Sequence, residues 1–291
     1  MRPSKKKIVR VIENIASEYF SDGLYTAILF SRYFNKFRRS INRNRSSKIH
    51  SENIDKINQY EYKITSQNNE DGIIEYIFEK IPNEKKFVEI GFEYFENNSL
   101  NLIRNNWSGI LIDQTRAECL LIKKLLNHFF PKNKVDVLRS RVTKDNINTI
   151  INKNVNFDHI DFFSIDVDGN DYWILKDMEL KKIKCICLEF NPWIDKNLKK
   201  VIPYDENFRY KDDGFFGASL LAYHDLLKSK KFDLIAIDSS GTNAFFVANE
   251  FSNLFEILDP VKSFKHNPYN YPKDKKEKII SQVKNHKFIN L

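Results

Sequence analysis

The run Phe162-Phe163-Ser164-Ile165-Asp166-Val167-Asp168-Gly169-Asn170-Asp171-Tyr172-Trp173 sets an apolar strand directly against three carboxylates and a glycine. A strand buried on both faces gains stability from apolar side chains, whereas ionised carboxylates resist removal from water. Asp166, Asp168 and Asp171 therefore belong at the wet end of a strand. In an open α/β sheet that carboxyl end is where ligands bind, so the turn is expected to handle something charged or metal-like.

The rest of the chain alternates in the same manner. Short apolar runs at residues 87–91, 109–113, 135–138, 162–166 and 185–190 read as strands, and helical stretches at 118–130, 146–152 and 172–180 lie between them. Strands alternating with helices predict βαβ units with right-handed crossovers, hence a parallel sheet covered on both faces. The end differs. After a helix near 217–230, two apolar runs, 232–238 and 243–248, are joined by Ser239-Ser240-Gly241-Thr242, a hairpin signal. Upstream, Ile73, Ile74, Ile77, Phe78 and Ile81 share a helical face that Pro82 terminates, and a helical N-terminal region is expected over residues 5–40, followed by a polar linker at 40–51. The expected organisation is a basic helical extension and linker at 1–50, an α/β domain at 51–255, and a basic tail at 256–291.

Charge sharpens that division. Residues 1–50 carry a balance of +9 and residues 262–291 one of +6, so within a total of +8 the central region is left about −7. The chain has basic arms around an acidic core, which argues against nucleic acid as the substrate. Solvated ends are one reading of the arms. The other is contact with an anionic membrane surface or an acidic polymer, since the apolar and aromatic stretch 24–37 is followed by Arg38, Arg39, Arg43 and Arg45. No apolar stretch is long enough to span a bilayer and the amino end has no signal-peptide pattern. Cys119, Cys185 and Cys187 offer neither a disulfide framework nor zinc-ligand spacing. A cytoplasmic location, with peripheral attachment to the inner membrane face as a variant, is the expectation.

The chemistry-bearing positions cluster at predicted strand ends. Glu89-Ile90-Gly91 closes the first strand, and its glycine permits a turn with close backbone approach to a ligand. Asp113 closes the second, 24 positions after Glu89, near the spacing at which Rossmann-like folds offer a carboxylate to ribose hydroxyls. The segment 141–146, with Asn146, follows the third. Glu189 and Asn191 close the fifth, beside Asp166 and Asp168 if the fourth and fifth strands are neighbours. Oxygen donors from adjacent strand ends suit Mg²⁺ or another hard cation. The alternative for the same acids is helix capping or substrate contact without metal.

A parallel sheet ended by an antiparallel hairpin resembles the class I methyltransferases that use S-adenosylmethionine. Three blocks are similar to FkbM-type methyltransferases: the Gln67-Asn68-Asn69-Glu70-Asp71-Gly72 lead-in, the run from Asp166 to Trp173 with Asp168 where that family has glutamate, and residues 214–227 with 238–247. The resemblance implies S-adenosylmethionine held by Glu89, Gly91, Asp113 and Asn146, with Asp166, Asp168 and Glu189 as catalytic residues. Asp166, Asp168, Glu189 and Asn191 would hold any metal, and residues 203–216 would cover the acceptor. It implies O-methylation of a glycan or another small polar acceptor. Two further functions stay open. One is a methyltransferase-fold binding module without catalysis, because Glu93 and Phe95 stand where relatives carry glycines. The other is a metal-dependent glycosyltransferase using a sugar nucleotide.

Overall fold

The computed structural model describes residues 22–46, 55–156, 158–265 and 271–291. Seven strands form one sheet in the order β3-β2-β1-β4-β5-β8-β7. Strand β1 (Lys86–Ile90) pairs in parallel with β2 (Ser108–Asp113) and β4 (Ile160–Ile165). Beyond them β3 (Val135–Arg139) joins β2, and β5 (Ile183–Glu189) joins β4, again in parallel. Strand β8 (Asn243–Ala248) is antiparallel both to β5 and to β7 (Phe232–Ile237). This is the Rossmann-like class I methyltransferase fold, mostly parallel with its hairpin at the carboxyl-terminal side.

Period-two alternation assigns each strand's side chains to two cores. Val88, Ile90, Ile110, Ile112, Phe163 and Leu188 face one side, against α5 (Ile147–Asn154), α6 (Asp171–Asp177) and α7 (Leu220–Ser229). Phe87, Leu111, Phe162, Cys185, Phe245 and Val247 face the other, against α2 (Glu70–Lys80), α3 (Leu100–Arg104) and α4 (Arg116–Phe129). Helices thus cover both faces, and the strands need no polar side. Cys185 and Cys187 fill this second core, where burial pushes both thiols up.

At the hairpin, the Asp238 carboxylate accepts hydrogen bonds from the Thr242 and Asn243 amides at 2.9 and 2.7 Å, while Gly241 takes the left-handed conformation. The turn is therefore fixed by one buried acid and one glycine.

The ends depart from expectation. Helix α1 (Asp22–Ile41) runs through Ser40, which was expected in the linker; its hydroxyl donates to the Phe95 carbonyl at 2.5 Å. The apolar face of α1, with Tyr25, Leu29, Phe37 and Ile41, is packed into the second core. Those rings are consequently not available to a membrane. Residues 5–21 of the expected helix lie outside the described residues. The 256–291 segment is no separate tail: α8 (Lys273–Lys284) is followed by β9 (Ile289–Asn290), which pairs antiparallel with β6 (Lys200–Val201). Val283 of α8 joins Trp193 and Phe216 in a third apolar cluster. Among the described residues, no helix is long and apolar enough to cross a membrane.

Candidate active site

Four neighbouring strands, β2, β1, β4 and β5, run in parallel, so their carboxyl ends lie along one edge. Asp113, Gly91, Asp166 and Glu189 stand there in that spatial order. Register fixes the arrangement: Ile90 faces Ile112 and Ile165, and Ile165 faces Leu188.

The exits of β1 and β4 cross in contact. Gly91 donates to the Ile112 carbonyl at 2.9 Å and Asp166 to the Ile90 carbonyl at 2.9 Å. Gly91 has φ +76°, and a Cβ there would lie 1.7 Å from the Asp166 carbonyl oxygen. Only glycine satisfies both conditions. Glu89, just before it, is buried and accepts from the amides of Asn98 and Ser99 at 3.0 and 2.9 Å, which pulls the far end of the 91–99 loop back onto the strand. Burial pushes its carboxyl up to about 7. Glu89 therefore shapes the loop.

The bulk in that loop faces inward. Phe92, Tyr94 and Phe95 are buried in the second core beneath α1, with Tyr94 5.1 Å from Tyr33 between ring centroids. Phe95, where the resemblance implies a glycine, turns into the second core. Glu93 is half-buried, and its carbonyl accepts from the Asn97 amide group at 2.9 Å.

At the end of β2, half-buried Asp113 accepts from the Thr115 amide at 2.6 Å. Asn146 accepts from the Thr143 amide at 2.8 Å and donates to the Arg141 carbonyl at 2.9 Å, closing the 141–146 loop on itself. Its amide is spent on loop shape.

The three acids of the 166–171 run have two different tasks. Asp171 is buried and accepts from the amides of Val167 and Gly169 at 2.8 and 3.0 Å, which closes the turn and starts α6. Asp166 and Asp168 are exposed instead, Asp168 in the left-handed region at φ 57°. Carboxylate oxygens of Asp166, Asp168 and Glu189 lie within 4.8 Å of one another. Asp166 keeps solvent access on one side, while the protein packed against its other side partly desolvates the carboxyl. That desolvation, followed by like charge from Glu189, Asp168 and Asp171, holds its carboxyl well above the usual range.

Asn191 stands apart from this group. It is fully buried, donates to the carbonyls of Gly214 and Phe216 at 2.8 Å each, and accepts from the Trp193 amide at 3.0 Å. Both ends of its amide are engaged in tying the exit of β5 to residues 214–216, so its expected place among the metal ligands gives way to a positioning one.

The 203–216 segment packs against the turn that carries the acids. Trp173 donates from its indole to the Ile202 carbonyl at 2.9 Å, Asn170 to the Asp205 carbonyl at 2.8 Å, and the Phe208 ring lies against Gly169. Outside it sits α8: Ile279 and Val283 touch Gly214, and His286 contacts Asp213 at 3.2 Å while stacking on Phe215. The apolar spacing Ile279, Ile280, Val283 was a signal for this contact, outweighed by the surrounding lysines.

Two residues have no individual role in the sequence reading, although both lie in the blocks it singles out. Tyr223 is fully buried with no hydrogen-bond partner for its hydroxyl, and burial followed by the charges of Asp171, Glu189 and Asp166 raises its pKa well above 10. Glu70, also buried, accepts from the Asn243 amide group at 2.7 Å, and Asn243 is the register partner of Glu189. Burial and the nearby Asp238 push Glu70 to about 7. His159 is at the amino end of β4, and His224 pairs with Asp225 at 3.2 Å. Neither stands among the strand-end acids.

No protein-family model matches the sequence, and no curated protein matches it at a significant level. Among solved structures, it is similar to TrmK of M. capricolum in complex with S-adenosyl-homocysteine, over 60% of this chain and 67% of that one, at 16% identity and a TM-score of 0.34. The N-terminal domain of EvdMO1 in the presence of S-adenosyl-homocysteine and D-fucose is similar over 60% and 79%, at 10% identity and a TM-score of 0.41. For the bifunctional kinase-methyltransferase WbdD the values are 56% of this chain, 15% identity and 0.35, and the chain spans only 34% of that protein. Likeness at this level concerns the fold, and function rests on the chain's own residues.

Proposed function

We propose that this chain is an S-adenosylmethionine-dependent methyltransferase of FkbM-like type that methylates a hydroxyl of a glycan or another small polar acceptor. One observation carries the reading: four adjacent parallel strands end in Asp113, Gly91, Asp166 and Glu189 within a sheet of methyltransferase order. Gly91 makes the turn at the end of β1 that would meet the cofactor, and Asp113 is suited to accept from ribose hydroxyls, with the 141–146 loop beside them. Glu89 and Asn146 support the cofactor indirectly, through the loops they shape. The binding-module alternative loses part of its motive, because Phe95 turns into the core.

Bound S-adenosylmethionine supplies an electrophilic methyl on a sulfonium. The chain's task is then to hold an acceptor hydroxyl in line with that methyl and take its proton as the carbon–oxygen bond forms and the carbon–sulfur bond breaks. Asp166, whose carboxyl is held above its usual range beside Asp168 and Glu189, suits the proton acceptor. The three carboxylates also fit a hard divalent cation by donor type and spacing, and such an ion would lower the pKa of the hydroxyl it binds. Residues 203–216 would restrict water at the acceptor side.

The test is transfer of labelled methyl from S-adenosylmethionine to neutral saccharides, with and without a chelator. Transfer that stops on chelation and returns with Mg²⁺ supports metal assistance; transfer indifferent to chelation leaves proton removal to the carboxylates. Absence of transfer to any hydroxyl acceptor, with label passing to an amine or a thiol instead, overturns the O-methylation reading.

A further inference from the structure

A second charged region lies away from the strand-end acids. Between α1 and the loop that leaves β1 is a cleft of about 410 Å³ whose lining includes Arg32, Lys36, Arg39, Arg43, Phe95 and Glu96. Four cations face a single carboxylate there. Glu96 is itself shared, 3.5 Å from Arg43 and 3.0 Å from Lys63, so the cleft retains a positive excess. The Nη1 atom of Arg43 is buried without a hydrogen-bond partner. Guanidinium groups arrayed in this way match phosphate oxygens geometrically and electrostatically.

The same helix shows what kind of phosphate fits. Leu24, Ile28, Arg32, Lys36, Arg39 and Arg43 follow one another at steps of three or four residues, which places them along one side of α1 and its continuation. Leu24 and Ile28 are 53% and 46% exposed, whereas Tyr25, Leu29, Phe37 and Ile41 of the same helix are buried. The outward face is therefore aliphatic at its first two turns and cationic thereafter. A soluble phosphate compound gives no reason to expose two large aliphatic side chains in line with the cations. An acidic phospholipid surface does, because acyl chains receive the aliphatic residues while headgroups meet the arginines.

We infer that the outward face of α1 docks on anionic phospholipid, with Leu24 and Ile28 entering the interface and the Arg32–Arg43 cleft binding a headgroup phosphate. This narrows the contact suggested by sequence, which took in the whole apolar and aromatic stretch 24–37; of its rings, Tyr25 and Phe37 are buried inside the protein. Tyr94 and Phe95 sit under α1 as well, so the docked face backs directly onto the loop after Gly91.

Co-sedimentation of the full chain with vesicles tests the inference, using phosphatidylcholine alone and phosphatidylcholine mixed with phosphatidylglycerol. The full chain is expected to bind the mixed vesicles, less so as salt rises, and to leave the neutral ones in suspension. The Arg32→Glu/Arg39→Glu double variant should bind about 25-fold more weakly or worse, since each basic side chain near such a surface contributes roughly a factor of five. Leu24→Asn/Ile28→Asn should also weaken binding, and all four side chains are exposed enough for both variants to melt as the parent does. Two results would move the site to another ligand and overturn the membrane assignment. One is displacement from vesicles by glycerol phosphate combined with unaltered binding of the Leu24/Ile28 variant. The other is tighter binding to a single-stranded RNA homopolymer, lost in the arginine variant. Parent-like vesicle binding by both double variants would overturn the inference entirely.

Discussion

Gly91→Ala is expected to lower the free energy of unfolding by roughly 2–5 kcal/mol, combining the strain of a left-handed non-glycine residue with overpacking. The effect has an identifiable origin. At φ +76° the added Cβ points at the backbone of Asp166, 1.7 Å from its carbonyl oxygen, and a backbone atom just past β4, anchored by the Asp166 N–H to the Ile90 carbonyl, has no rotamer in which to retreat. Either the turn after β1 or the turn bearing the acids must shift. For a domain of this size the melting temperature should fall on the order of 10 °C. Gly23→Ala is the control: it lies in the first turn of α1 with nothing within 4 Å of the added carbon, and should be neutral or slightly stabilising. Urea unfolding of both variants checks the contrast. A Gly91→Ala midpoint equal to that of the parent would show that the two strand exits do not cross as described.

Asp168→Asn should reduce methyl transfer by about 10²–10⁴-fold if the acid cluster removes the acceptor proton or holds a metal that does. Affinity for S-adenosylhomocysteine should stay close to that of the parent, because Asp168 belongs to the β4 end and the cofactor positions to β1 and β2. Asparagine also tolerates the left-handed backbone at this position, so folding should survive. A pH profile adds a second reading with a definite sign. Asp168 is one of the like charges that raise the Asp166 pKa, and removing it favours ionisation of Asp166. The acid limb of the residual rate profile should therefore move to lower pH. Unchanged turnover, or an acid limb displaced to higher pH, would remove the cluster from the mechanism.

Sheet and helices were largely legible in the sequence. The apolar runs at 87–91, 109–113 and 162–166 end in Gly91, Asp113 and Asp166, and those endings mark the carboxyl edge from sequence alone. Side-chain duties were less legible. Asp166 and Asp171 look equivalent in a run of acids, yet Asp166 follows the strand directly and stays accessible, while Asp171 bends back to two amides. Asn191 sits two residues from Glu189 on the same chain exit, but its side chain turns into the 214–216 carbonyls. The bulky Phe95 suggests obstruction until α1 is present to receive its ring. In each case the partner is remote in sequence, and local pattern carries no information about it. The fold-back of α8 was hidden similarly: its mean composition is basic, and the few apolar residues that seat it on Gly214 matter only once that glycine is adjacent.

The measurement closest to the central claim is a calorimetric titration of the full chain with S-adenosylhomocysteine and S-adenosylmethionine, repeated with Asp113→Ala. If Gly91, Asp113 and the 141–146 loop form a cofactor site, both ligands bind one to one. Asp113→Ala then weakens them by about tenfold or more, the value of a lost hydrogen bond to a charged acceptor. No heat from either ligand at millimolar concentration, or equal binding by the parent and Asp113→Ala, would contradict the assignment.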